Sequence, residues 1–194
     1  MSCEACRAAR AANGELVAAI NDVLDDDCGC EAYSMDARSP GVVSDNENLH
    51  FIVRDPDGLL DNNLLNPVFV QQLFRNGMSV LREAASDDEF RLTVTELQQN
   101  WIPKNKRVHG MLTFRAMAVR YQDDHRLCCV YDTSLDNKPN HADMMAPKIK
   151  DVPGTPLRIV KERIVKALID KMGNDFTPAA DIRGGILNDI LKAA

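Results

Sequence analysis

The sequence predicts an α+β fold, in which helices pack against an antiparallel sheet. Strand patterns follow one another in the middle of the chain instead of alternating with helices, which favours α+β over a wound parallel sheet. The length of 194 residues suits one domain. Hydrophobic residues make up 45% of the chain and charged residues 27%, which are the proportions of an ordinary globular protein.

We divide the chain into an N-terminal helical segment that carries cysteines (1–30), a loop (31–48) and a single α+β domain (49–194). Apolar residues at helical spacing predict the first part. Asn13-Gly14 interrupts this pattern and leaves two versions open, one long helix or a helical hairpin. The loop is indicated by its Pro, Gly, Ser and Asn content.

We expect a sheet of three to four strands. An apolar run that ends in the turn DPDG predicts the first strand. The alternating stretch EFRLTVTEL predicts the second, with one face in solvent. The segments on either side of QDDH predict a hairpin. The strands span about 49–55, 89–97, 110–121 and 126–133.

The hairpin also predicts a register. If Gln122 faces His125, continued pairing places Arg115 directly opposite Asp132. Opposite charges at facing positions of two strands attract each other and support the register. We therefore predict a structural ion pair between Arg115 and Asp132.

A central helix over 67–85 is predicted to pack on the sheet. Its start is indicated by Asn66 as the N-cap and Pro67 at the first helical position. Two C-terminal helices with apolar stripes are expected after the pairs Thr155-Pro156 and Thr177-Pro178.

Charge is distributed unevenly along the chain. Residues 1–62 hold 13 acidic and 4 basic side chains, whereas the other 132 residues hold 16 acidic and 19 basic, for a net charge of −6. Phosphate backbones repel an acidic chain, so we expect no nucleic-acid partner. The asymmetry is typical of a solvated acidic surface, and it also fits the steering of a protein partner or head-to-tail contact between subunits.

We expect a cytoplasmic protein that does not enter a membrane. No apolar run approaches the ~20 residues of a membrane span, and no basic head followed by an apolar core marks a secretion signal. The six cysteines are then expected to be reduced thiols rather than a disulfide framework.

Four cysteines lie near the N-terminus, and four thiolates can close a tetrahedral zinc site. They are Cys3, Cys6, Cys28 and Cys30. A single long helix would separate the two pairs by ~30 Å, so a zinc site requires the hairpin or a dimer. The Cys-x-Cys spacing is also unusual for zinc, and incidental thiols are therefore the favoured interpretation, with a structural Zn²⁺ as the alternative.

Histidine and aspartate residues gather at one rim of the predicted sheet. They are His109, Asp132, His141 and Asp143, the last two in a polar loop predicted over 134–150. Such a set could bind Zn²⁺ or Mn²⁺, or act as an acid–base pair, in a metal-dependent hydrolase. The spacing matches no strong metal motif, so turn and loop hydrogen bonding is the favoured interpretation.

Three other residues are singled out by their type. Trp101 lies in a predicted loop between strands, where it either packs inward or serves as an interface residue. Cys128 and Cys129 are adjacent, carry no catalytic signature, and are interpreted as buried core residues.

These observations favour a non-enzymatic binding or regulatory module over an enzyme. The chain has no strong phosphate-binding or nucleophile motif. We expect it to act through a protein partner or as a homo-oligomer, without a cofactor other than a structural Zn²⁺ at the four cysteines. The metal-dependent hydrolase is the alternative, and the sequence does not identify a small-molecule ligand.

Overall fold

A computed structural model describes residues 4, 8, 16–23, 29–34, 39–150 and 152–192. Eight strands and six α-helices are formed by these residues. The strands are β1 (Asn48–Asp55), β2 (Met78–Arg82), β3 (Arg107–Arg115), β4 (Tyr121–Gln122), β5 (His125–Arg126), β6 (Cys129–Asp132), β7 (His141–Met145) and β8 (Phe176–Pro178). The helices are α1 (Leu16–Val23), α2 (Pro67–Val70), α3 (Asp87–Trp101), α4 (Ala116–Arg120), α5 (Leu157–Met172) and α6 (Asn188–Lys192).

The α+β class and the antiparallel sheet are confirmed, but the sheet has six strands instead of three to four. Their order is β6-β7-β2-β1-β3-β8, and β4 and β5 form a separate hairpin. β1 pairs with β3 along its whole length, and β2 pairs with β7 over four residues. β1 and β2 pair only at Leu49↔Arg82 and His50↔Leu81. This short β1–β2 junction joins two three-stranded halves.

Each face of the sheet carries helices. Side chains alternate between the two faces of a strand. On one face, here called the α5 face, Leu49 and Val53 of β1 share a core with Leu168 of α5. On the other, the α3 face, Ile52 packs with Phe90 of α3.

The predicted strand over 89–97 is wrong, because this stretch forms α3. The Ser86 hydroxyl accepts the Glu89 N–H at 3.2 Å, and the Glu89 carboxylate accepts the Ser86 N–H at 2.8 Å. This capping box starts the helix. Phe90 and Val94 then lie on the buried helical face, against which Trp101 also packs.

The central helix predicted over 67–85 is correct only at its start. Asn66 caps α2 by accepting the Val68 N–H, and Pro67 is the first helical residue. A 3-10 turn over Gln71–Phe74 follows, and the chain then becomes strand β2. Gly77 has φ +81°, and a Cβ there would lie 3.1 Å from the Met144 carbonyl oxygen, so the helix ends where β2 approaches β7.

The predicted hairpin is confirmed only at its tip, where Gln122 faces His125. The longer strands over 110–121 and 126–133 are wrong, because α4 and an irregular segment interrupt them. Arg115 therefore lies opposite Asn48 and Asp132 opposite Ala142, so the predicted ion pair is not at facing positions.

Other expectations are met in part. The N-terminal helix is present as α1, and the rest of that prediction, including the hairpin at Asn13-Gly14, falls outside the described residues. The polar loop predicted over 134–150 contains the buried strand β7. α5 forms as expected, whereas the second C-terminal helix is replaced by β8, a 3-10 turn and the short α6. None of the described helices is long and apolar enough to cross a membrane.

Candidate functional site

The four residues of the hydrolase hypothesis do not come together. Asp132 faces Ala142, so its side chain lies on the α5 face, whereas His141 and Asp143 lie on the α3 face. His109 belongs to β3, three strands from β7, a separation of about 14 Å at normal strand spacing. Across the described ranges, no group of three or more His, Cys, Asp or Glu side chains could hold a metal ion.

His141 and Asp143 do lie side by side, next to a serine of β2. His141 Nε2 is 3.9 Å from Asp143 Oδ1, and the Ser79 hydroxyl donates to the same oxygen at 2.8 Å. His141 Nδ1 lies 3.0 Å from Thr133 Oγ1. Ser79 has one hydroxyl hydrogen and donates it to the carboxylate, whereas the serine of a Ser-His-Asp triad donates to the imidazole.

Asp132 belongs to a buried ionic cluster centred on Arg82. The Asp132 carboxylate is fully buried and accepts hydrogen bonds from the Ser34 and Ser39 hydroxyls. Arg82 Nη1 lies 3.6 Å from Asp132 Oδ1, and Arg82 Nε donates to Glu47 Oε1 at 2.7 Å. The Arg82 cluster therefore ties the segment before β1 to β2 and β6.

A second buried cluster is centred on Arg120. Its guanidinium donates to Glu31, to Asp45 at 2.6 Å and to the Val43 carbonyl at 2.8 Å. Glu31 also accepts the Val130 N–H at 2.9 Å. Part of the acidic excess of the N-terminal region is thus neutralised within the molecule. Neither arginine was predicted from the sequence, although each interrupts an apolar run.

The oxidation state of two cysteines differs from the sequence-based prediction. Cys30 and Cys129 are each disulfide-bonded, which corrects the prediction of reduced thiols. A sulfur in a disulfide is not a thiolate, so Cys30 is no zinc ligand in this state. Cys3, Cys6 and Cys28 lie outside the described residues.

Cys128 is a free, buried cysteine, and Cys129 is buried as well, so both are core residues as predicted. The Cys128 thiol donates to the Val119 carbonyl. Burial raises the pKa of Cys128 to about 12. A thiol with so little thiolate at neutral pH is a poor nucleophile.

Trp101 is the last residue of α3 and not part of a loop. It is half-buried against the apolar cluster of the α3 face and lines a cavity there. Its role as an interface residue stays a prediction.

The cavity has a volume of about 530 Å³ and lies where β1 and β2 diverge beyond their junction; we call it the β1–β2 cleft. Ile52 and Leu81 line it from the two strands, Thr93 and Leu97 from α3, and His141 from β7. This volume falls within the range of ligand pockets.

Charged side chains in the β1–β2 cleft are paired with one another or with neighbours. Lys138 donates to Glu96, and Arg54 binds Asp57 through two hydrogen bonds of 2.7 and 2.9 Å. Burial, with Arg183 nearby, holds the pKa of His50 below its ordinary value of 6.5. Each of the two cations that line the cleft, Lys138 and Arg54, therefore lies beside a carboxylate.

A different surface surrounds α5, which stands between two grooves of about 800 and 380 Å³. We call this surface the α5 ridge. Phe74, Val165 and Ile169 line the larger groove. Acidic residues at the ridge are Glu162 and Asp170. Basic residues outnumber them and are Arg75, Arg126, Lys148, Lys150, Arg158, Lys161, Arg163 and Lys166.

Comparison of the chain with protein family models, curated proteins and solved structures finds no match.

Proposed function

We propose that this chain is a non-enzymatic binding module that recognises an acidic segment of a protein partner along the α5 ridge. The observation that carries the proposal is the combination of an apolar groove with a rim of eight basic and two acidic side chains. An acidic segment with apolar residues on one face complements both features.

The side chains of the ridge support this assignment. Leu157 begins α5 and is 50% exposed, although it is a large apolar residue. Lys161 covers the ring of Phe74 with its ammonium 5.2 Å from the ring centroid. Helix α5 has 16 residues and is therefore ~24 Å long, so a helix of similar length can lie along it.

The test uses a fluorescein-labelled peptide of about four helical turns, with Leu at helical spacing on one face and Glu elsewhere. Fluorescence anisotropy with the full chain should give saturable binding. The double variant Lys161→Glu, Lys166→Glu should weaken binding at least tenfold, because two attractive charges become repulsive. Lys104→Glu, Lys192→Glu is the matched control, since both lysines are exposed and lie outside the two grooves.

Equal affinities of the two double variants would contradict the proposal. A single-stranded oligonucleotide that binds more tightly than the peptide and displaces it would assign the ridge to nucleic acid instead. Analytical ultracentrifugation of the unliganded protein tests for self-association through the ridge. Self-association would give a dimer that the Lys161→Glu, Lys166→Glu variant disrupts and the control variant does not, and it would contradict the proposal.

A further inference from the structure

The β1–β2 cleft has a feature that an ordinary pocket lacks, which is that two strands of one sheet form its walls. Beyond the junction, β1 continues along β3 over 51–55, and β2 continues along β7 over 78–80. The sides of β1 and β2 that face each other are not paired there. In an antiparallel sheet, each strand directs backbone N–H and C=O groups to both sides.

Unpaired strand edges are templates for another strand. We propose that the β1–β2 cleft binds an extended internal segment of another protein, whose backbone bridges β1 and β2. The open part of β1 is long enough for about four residues at ~3.3 Å each. Recognition by addition of a strand draws its affinity from backbone hydrogen bonds and its specificity from pockets for alternate side chains.

Access to the cleft supports this occupant. Gln72, Asn76 and Ser79 line the cleft and are exposed, so a segment can enter from solvent. Ile52 and Leu81 are buried and supply an apolar floor for one side chain of the segment.

The polarity of the cleft favours an internal segment over a chain end. Lys138 and Arg54 already pair with carboxylates, so a terminal carboxylate would compete with Glu96 and Asp57. Thr93 lines the cleft, and its hydroxyl oxygen is buried without a hydrogen-bond partner. A peptide backbone is uncharged and offers donors and acceptors for such a group.

This site is separate from the α5 ridge, because the residues that line the cleft are not among those that line the two grooves. Failure of one proposal therefore leaves the other intact.

The experiment measures amide hydrogen exchange of the full chain with and without the tetrapeptide Val-Thr-Val-Thr, acetylated and amidated at its ends. Its residues favour extended structure. We expect a group of amides within 51–55 and 78–80 to exchange faster than the amides that bond β3 and β7, and saturating peptide to slow that group at least tenfold. Exchange that is already slow, or that the peptide leaves unchanged, would overturn the proposal.

Variants on α3 locate the site. Thr93→Trp fills the cleft and should weaken peptide binding at least tenfold, whereas Gln99→Trp, at an exposed position of the same helix, should not. If Thr93→Trp lowers the melting temperature sharply, Thr93→Val keeps the volume, removes the hydroxyl and should still weaken binding severalfold. Binding unchanged in the folded Thr93 variants would place the peptide elsewhere and refute the assignment.

A second peptide tests whether the cleft binds an internal segment or a chain end with a charged terminus. The same tetrapeptide with charged ends should bind at least tenfold more weakly than the capped one. Equal or tighter binding of the charged form would overturn the assignment to an internal segment.

Discussion

The segments that precede and follow the main sheet are held in place by different forces. The described residues 29–34 and 39–47 are held by buried charge, through Arg82 and Arg120, which are 5% and 4% exposed, and by the disulfide bond of Cys30. Residues 179–192, which follow β8, are fixed by apolar burial, and their ion pairs to α3 lie at the surface.

The comparison shows that the same arginine–carboxylate contact has different consequences at different depths. A buried pair loses the hydration of both ions, so removal of one partner leaves a charge that nothing compensates. An exposed pair keeps most of its water and contributes little. A polar segment can therefore be fixed to a sheet by ions, provided that the ions are buried.

The largest effect is expected from Arg82→Ala. This change leaves the carboxylates of Asp132 and Glu47 in the protein without their guanidinium, and it should lower the free energy of unfolding by about 3–5 kcal/mol. Urea denaturation measures the loss. A change below about 1 kcal/mol would mean that the Arg82 cluster is not a stabilising contact.

The next largest loss of stability is expected from Leu187, in the segment after β8. Leu187 is fully buried in the apolar cluster of the α3 face, and Leu187→Ala should cost about 3 kcal/mol through lost burial and a residual cavity. The same urea titration tests it. Ile186→Ala is the matched control and should cost less, because Ile186 is only partly buried. Equal losses would remove apolar burial as the explanation for how this segment is held.

A smaller effect is expected from Arg183→Ala. Arg183 pairs with Asp87 at 3.0 Å and covers the ring of Phe90, but it is 31% exposed. The loss should be at most about 1 kcal/mol. Denaturation with and without 1 M NaCl tests the contrast between this exposed ion pair and the buried Arg82 cluster. Salt should weaken the Arg183–Asp87 pair and leave the Arg82 cluster nearly unchanged.

The smallest effect on stability is expected from Asp57, at the edge of the β1–β2 cleft, and it depends on pH. Hydrogen bonds from Arg54 and Lys106 hold the pKa of Asp57 at about 2, below its ordinary value of 3.8. The folded state thus favours the carboxylate, whose contribution is complete above the ordinary value and is lost as the pH falls towards 2. Asp57→Asn should therefore flatten the pH dependence of stability between those values, in circular dichroism melts. An unchanged slope would contradict the assignment.

Features that depend on nearby residues could be predicted from the sequence. The start of α2 rests on Asn66-Pro67, and the turn of the β4–β5 hairpin on a few adjacent residues. The error at α3 arose because Phe90 and Val94 fit both an alternating pattern and a helical one. The capping box formed by Ser86 and Glu89 favours the helix, and its Ser-x-x-Glu pattern is present in the sequence.

The candidate sites depend on residues that are distant along the chain. Asp132 meets serines almost a hundred positions away, and no local pattern connects them. The β1–β2 cleft exists because β2 leaves β1 after two residue pairs, which the spacing of apolar residues does not encode. His141 and Asp143 could therefore be singled out from the sequence, but the face of the sheet on which each predicted residue lies could not.

The buried Cys128 thiol can serve as a native probe of local opening of the protein. The thiol is fully buried beside β6, and its pKa of about 12 leaves almost no thiolate in the closed state. Alkylation at this position, followed by mass spectrometry of the Cys128 peptide, should proceed only during openings that expose the strand. When reclosing is fast, the labelling rate divided by that of a free thiol gives the population of the open form, with no engineered probe.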